Sequence, residues 1–273
     1  MSMHIKKSGL LDESESVAET ERGNTRSIKD DSSFGLPKFE VALDSLPSKG
    51  VLYPEGTKIH YLPYTFGELL RHSASDVDTK DDIHIVAKGI QPTGIEVKDL
   101  TYWDFVFIGI LRNMTRGDVE WVGLSYNCPR CEQRVNTSVL FTDIEFTDLD
   151  IPKFPVVVNL KDVNWEFYPL TMDKYVKLIE GEHNTDSRYV FAAQVTNRPL
   201  DNTLALFDSA IDEDAEVLEY IDGLLFHGPN PVTVTCNHCT KQVPIDITDK
   251  EVFIRPFRRS EFSPRDRITF GQE

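Results

Sequence analysis

The sequence predicts an α+β protein built as two similar halves, each a set of β-hairpins with a helical cluster. Three observations point to it. The first is the placing of the four cysteines, which form two CxxC pairs, Cys128 with Cys131 and Cys236 with Cys239. Each pair lies between β-like runs, Ser125–Asn127 and Val135–Leu140 for the first, Val232–Thr235 and Val243–Ile247 for the second. The second is a recurrence. Residues 58–70 and 165–178 both read as an alternating strand, then Pro-x-Thr, an apolar residue and a helical pattern. Pro63-Tyr64-Thr65-Phe66 matches Pro169-Leu170-Thr171-Met172. The third is the spacing that follows. Pro63 to Cys128 spans 65 positions and Pro169 to Cys236 spans 67. Thr-Asp-x-Glu then follows each pair, at Thr142–Glu145 and Thr248–Glu251. The expected organisation is a polar tail (1–36), a first half (37–150), a second half (151–254) and a C-terminal arm (255–273).

The elements follow in order. Residues 1–36 are rich in Ser, Asp, Glu, Lys and Arg and offer little apolar surface to offset ordering entropy, so they read as a flexible tail. Met1–Lys7 has a basic pair but no apolar core segment and does not read as a signal peptide. Phe39–Leu43 reads as a strand and Leu46–Gly50 as a turn. Val51–Tyr53 and Lys58–Leu62 read as a hairpin around Pro54-Glu55-Gly56. Thr65 with Glu68 has the spacing of a capping box, opening a helix to about Ala74. Aspartates 76, 78, 81 and 82 lack the glycine of an EF-hand loop and read as a solvated helix cap. Ile83–Ile90 is expected to be helical. Asp99 or Thr101 starts the next helix, apolar on most faces through Leu111 and ending near Arg116-Gly117.

In the second half, Val156–Leu160 and Trp165–Tyr168 form an expected hairpin, and Thr171 caps a helix through Ile179. Further helices are expected over Ser187–Thr196, Thr203–Ala210 and Ala215–Leu225. The stripe Leu218, Ile221, Leu225 reads as core. Arg255–Arg267 holds five arginines interleaved with phenylalanine. It reads either as a solvated tail or as a docking arm for an acidic neighbour.

The cysteine pattern carries chemistry. A strand, a two-residue knuckle and a return strand let two thiolates converge on one ion. Two such knuckles complete a tetrahedral, zinc-ribbon-like site of four cysteines, here Cys128, Cys131, Cys236 and Cys239, with one structural Zn2+ per chain joining the halves. Such a site is closed and holds no substrate position. A redox CxxC opens a helix in a βα setting, whereas β residues follow both pairs here. Residues 132–235 separate the pairs, so the ion would clamp distant segments. His238 lies inside the second knuckle and reads as an exposed polar tip. Arg130, Arg134 and Lys241 flank the thiolates, as the net negative charge of a zinc tetrathiolate favours.

Composition excludes several classes. The net charge is −16, which opposes a nucleic-acid-coating surface. No apolar run approaches the ~18 residues of a membrane span. There is no GxxxxGK[ST], GxSxG or HExxH, and the seven histidines form no local metal-binding pair. No catalytic residue is assigned, and a non-enzymatic protein is expected.

Leu46-Pro47-Ser48-Lys49-Gly50-Val51-Leu52-Tyr53-Pro54-Glu55-Gly56, then Lys58–Leu62 and a Thr-Phe helix start, resembles the opening of T4-type phage baseplate hub subunits and hub assembly proteins. Asn127–Cys131 with its following β run resembles members of that group as well. The resemblance implies a virion structural protein of a contractile tail, assembled in the host cytoplasm. Its partners would be other tail and baseplate proteins, with no small-molecule substrate. The second CxxC, the duplication and the long N-terminal tail depart from the pattern. The competing reading is a zinc-ribbon module working with nucleic acid or the transcription machinery.

Overall fold

The computed structural model describes residues 36–72, 79–115, 121–151, 153–181, 187–211 and 213–247. Residues 1–35 of the N-terminal tail, Asp76 and Asp78, Arg116-Gly117, Thr248–Glu251 and the C-terminal arm lie outside these residues. So does the end of the first helix beyond His72.

The first sheet has three antiparallel strands. β1 (Phe39–Val41) pairs with β2 (Lys58–Tyr61), and β2 pairs with β3 (Ile90–Thr93). Alternation along β2 buries Ile59 and Tyr61 and leaves Lys58 exposed. The expected strand at Val51–Tyr53 is instead a run of turns. Lys49 N–H bonds to Leu46 O, Val51 N–H to Ser48 O and Tyr53 N–H to Gly50 O. Lys49 and Gly50 take φ of 55° and 68°, which extended backbone does not permit. A Cβ on Gly50 would lie 2.7 Å from Leu43 Cβ, so the position also needs the missing side chain. The strand expected through Leu43 stops at Val41, and a 3-10 turn occupies Leu43–Ser45.

α1 (Phe66–His72) opens on the expected capping box. Thr65 Oγ1 accepts from Glu68 N–H at 3.2 Å, and Glu68 Oε2 accepts from Thr65 N–H at 2.7 Å. α2 (Thr79–Lys88) includes Asp81 and Asp82 in its first turn. Asp82 is fully buried, against the expected solvated cap. The helix ends before Ile90, which pairs with Tyr61. α3 (Tyr102–Met114) starts at Thr101, whose hydroxyl accepts from Asp104 N–H at 3.1 Å. Its Phe105, Ile108 and Ile110 are buried, each contributing roughly 1.5–3 kcal/mol. β4 (Trp121–Asn127) and β5 (Arg134–Leu140) form the first cysteine hairpin.

β6 (Val156–Leu160) and β7 (Val163–Phe167) form the second-half hairpin. Its two-residue turn, Lys161-Asp162, has φ of 51° and 61°, the type I′ requirement. α4 (Met172–Glu180) follows Thr171. Thr171 holds the N-cap position, but its side chain makes no capping bond. α5 (Ser187–Ala192) is shorter than expected, because Val195 leaves the helix to bridge Phe167. α6 (Leu200–Ser209), α7 (Glu213–Leu225) and the hairpin of β8 (Val232–Thr235) with β9 (Gln242–Ile245) complete the described chain.

Two apolar clusters form. One gathers the first sheet, α2, α3 and both cysteine hairpins, together with Leu170, Met172, Tyr175 and Leu178 at α4. The other joins Trp165 and Phe167 of β7 to Leu206, Leu218, Ile221 and Leu225 of α6 and α7. The expected core stripe of α7 is therefore buried. α4 and the last hairpin, however, pack with residues of the first half.

Equivalent bonds recur in the two parts of the chain. Leu62 N–H bonds Gly89 O at 2.8 Å, and Tyr168 N–H bonds Gln194 O at 2.8 Å. Each donor directly precedes the proline of a Pro-x-Thr helix start. The helix starts Leu100–Tyr102 and Leu170–Met172 also face each other. Tyr102 N–H bonds Leu170 O and Met172 N–H bonds Leu100 O, both at 2.8 Å.

Candidate metal centre

Each cysteine pair closes a hairpin in the same way. Cys128 N–H bonds Gln133 O at 2.9 Å, and Glu132 N–H bonds Cys128 O at 2.8 Å. Cys236 N–H bonds Lys241 O at 2.9 Å, and Thr240 N–H bonds Cys236 O at 2.9 Å. The residue after the second cysteine is left-handed in both, with Glu132 at φ 59° and Thr240 at φ 58°. This winding turns both sulfurs of a knuckle to one side.

The structure brings all four expected ligands together. Their sulfurs lie within 4.8 Å of one another. Cys128 Sγ is 3.8 Å from Cys239 Sγ, and Cys131 Sγ is 3.7 Å from Cys236 Sγ. A disulfide needs ~2.05 Å, and all four cysteines are free thiols. A tetrahedron with Zn–S bonds of ~2.3 Å has sulfur–sulfur edges of ~3.8 Å. The donor set therefore fits a tetrahedral ion accepting soft sulfur ligands. Cys128 and Cys236 are buried, while Cys131 and Cys239 are partly exposed.

Local dipoles distinguish the thiols. The backbone N–H groups of Cys239 and His238 draw Cys236 down to about 6, against the opposing effect of burial. His238 N–H points at Cys236 Sγ from 3.4 Å. The Gln133 N–H favours the Cys131 thiolate, but burial and the three neighbouring sulfurs push that thiol up to about 12. Arg130, Arg134, His238 and Lys241 are all exposed around the site.

Sequence reasoning missed a second polar constellation. Asp104 is fully buried and accepts from Ser48 N–H at 2.9 Å, from the Ser48 hydroxyl and from the Tyr53 hydroxyl. Tyr53 Oη in turn accepts from Thr101 N–H at 3.1 Å. Thr101 Oγ1 donates to His227 Nε2 at 3.0 Å, and His227 Nδ1 donates to Leu225 O at 2.8 Å. Burial depresses the His227 pKa, so the ring is neutral and its proton sits on Nδ1. The sequence signals that touch this network were the Leu46–Gly50 turn, which holds Ser48, and the helix start at Thr101.

Comparison with known protein families, characterised proteins and solved structures finds no match to this chain. Among the described residues, no helix is long and apolar enough to cross a membrane.

Proposed function

We propose that the chain is a non-enzymatic structural subunit of a contractile phage tail baseplate, in the hub or the framework around it. One zinc on Cys128, Cys131, Cys236 and Cys239 stabilises it. The observation that carries this reading is the fate of Leu46–Gly56, the segment that resembles baseplate hub proteins. Its Ser48 and Tyr53 dock on Asp104 of α3. The segment thus has an architectural use, fixing a turn to the core helix. Asp104 and His227, which as a buried carboxylate and imidazole have the chemistry of catalytic groups, spend their hydrogen bonds inside the fold. Four thiolates would fill a tetrahedral coordination sphere and leave no position for a substrate, in keeping with a structural ion.

Residues 37–150 and 151–254 read as two copies of one plan. The paired bonds at Leu62 and Tyr168, and the matched knuckles at Cys128 and Cys236, support it. The partners in this reading are other tail and baseplate proteins, and the location is the virion. Mass spectrometry of purified virions tests it together with deletion of the gene. The expected result is the chain in finished particles and defective tails without it. Normal tails from the deletion strain would remove the protein from tail construction. A salt-dependent association with generic DNA would favour the nucleic-acid reading instead.

A further inference from the structure

We propose that the metal is a latch on one hairpin alone. Without the ion, β8–β9 leaves the core while β4–β5 stays folded. This inference rests on the metal reading of the cysteine tetrad and adds a direction to it.

The two hairpins that supply the sulfurs are unequal. β4 and β5 pair at seven positions, from Trp121 with Leu140 to Asn127 with Arg134. β8 and β9 pair at four, from Val232 with Ile245 to Thr235 with Gln242. Two-stranded ribbons are marginal by themselves, and the shorter one has fewer cross-strand contacts to hold it.

The knuckles are unequal too. Both place a non-glycine residue in the left-handed region, but Glu132 is unbranched at Cβ and Thr240 is branched. A β-branched residue fits that region worst, and such a conformation persists only where its surroundings over-determine it. The knuckle bonds from Cys236 N–H to Lys241 O and from Thr240 N–H to Cys236 O, with the Thr240 hydroxyl on Cys239 O, hold Thr240 there, and two sulfurs drawn to one ion add to that constraint. When the ion leaves, Thr240 has reason to return to extended backbone, and the knuckle then no longer faces Cys128 and Cys131.

The fold also supplies a pivot. The chain entering β8 is held to the segment after β5. Asn230 N–H bonds Glu145 O at 2.8 Å, Thr147 N–H bonds Gly228 O at 2.9 Å, and Thr147 Oγ1 bonds Asn230 Oδ1 at 2.8 Å. These bonds lie upstream of the hairpin and do not depend on the metal. Opening therefore turns at Pro231 and uncovers Val232, Val234, Val243 and Ile247, all buried with the ion site closed. Metal loss becomes a local exposure of apolar surface.

Hydrogen exchange on the full chain tests this, comparing zinc-loaded protein with protein stripped by a chelator, metal content being measured on both. The expected result on stripping is at least tenfold faster exchange over 232–245, with 134–140 and 102–114 changed less than twofold. Thr240→Gly should slow exchange over 232–245 in the stripped protein several-fold, and Glu132→Gly should leave it unchanged. Equal loss in both hairpins, or no loss in either while zinc binds and is removed, would overturn the latch and leave the metal site intact. Protein that binds no zinc even when it is supplied would overturn the metal reading and the latch with it.

Discussion

The guanidinium of Arg112 occupies the space where a side chain on Gly89 would stand. A Cβ built on Gly89 would lie 1.9 Å from Arg112 Cζ. That room lets Arg112, itself 1% exposed, reach the end of α2 from α3. Its Nη1 donates to Ile85 O at 3.0 Å and Val86 O at 2.7 Å, and its Nε donates to Leu62 O at 2.7 Å. Glu68 of α1 pairs with Nη2 at 3.3 Å, and the Tyr64 ring lies 4.0 Å below. One side chain thus ties α1, α2 and the exit of β2 to the core helix.

Gly89→Ala should destabilise the fold by roughly 2–3 kcal/mol through overpacking, without touching the metal site. Arg112→Met should cost about 3–5 kcal/mol, since it leaves buried carbonyls and Glu68 without their partner. Denaturant unfolding with zinc saturated measures both. A neutral Gly89→Ala would mean that Arg112 has another resting place.

Purified protein should carry one zinc per chain. Cobalt in its place should give the visible absorption of a tetrahedral thiolate site. Each of Cys128→Ser, Cys131→Ser, Cys236→Ser and Cys239→Ser should lower affinity. Two ions per chain, or unchanged affinity in any one variant, would contradict a shared centre.

Thr240→Gly should stabilise the zinc-loaded protein by about 1 kcal/mol, because glycine takes the left-handed conformation without the steric cost that threonine meets. Thermal melting at fixed zinc concentration provides the check. Thr240→Val should lie on the other side of the wild type.

Stability should fall as pH drops from 7 to 5.5, and His227 should be a cause. Its folded pKa lies below its ordinary value. In that window the unfolded chain binds more protons, so stability is complete above about 6.5 and is lost on acidification. A single group can contribute a slope of at most ~1.4 kcal/mol per pH unit. In His227→Gln, melting should start lower and depend less on pH across the same window. An unchanged slope would assign the acid sensitivity to other groups.

Local signals were legible from the sequence. The knuckles at Cys128 and Cys236, the box of Thr65 with Glu68, and the Val156–Phe167 hairpin each depend on residues a few positions apart. Their chemistry does not wait on the rest of the fold. The four clustered cysteines were legible for the same reason, since each half of the cluster is a local loop.

What only the tertiary structure decided lies in contacts between distant positions. Val51–Tyr53 has strand composition, but Ser48 and Tyr53 are drawn to Asp104, and the chain coils to bring them there. Ile90 and Val195 continue helical patterns, yet each is taken into pairing with a strand laid down earlier, at Tyr61 and Phe167. α4 and β8–β9 belong by position to the second half, yet their apolar residues are buried with those of the first. Periodicity says that a face will be buried, because that follows from the backbone repeat. Which surface buries it depends on shapes and hydrogen-bond partners that exist only once the chain has folded.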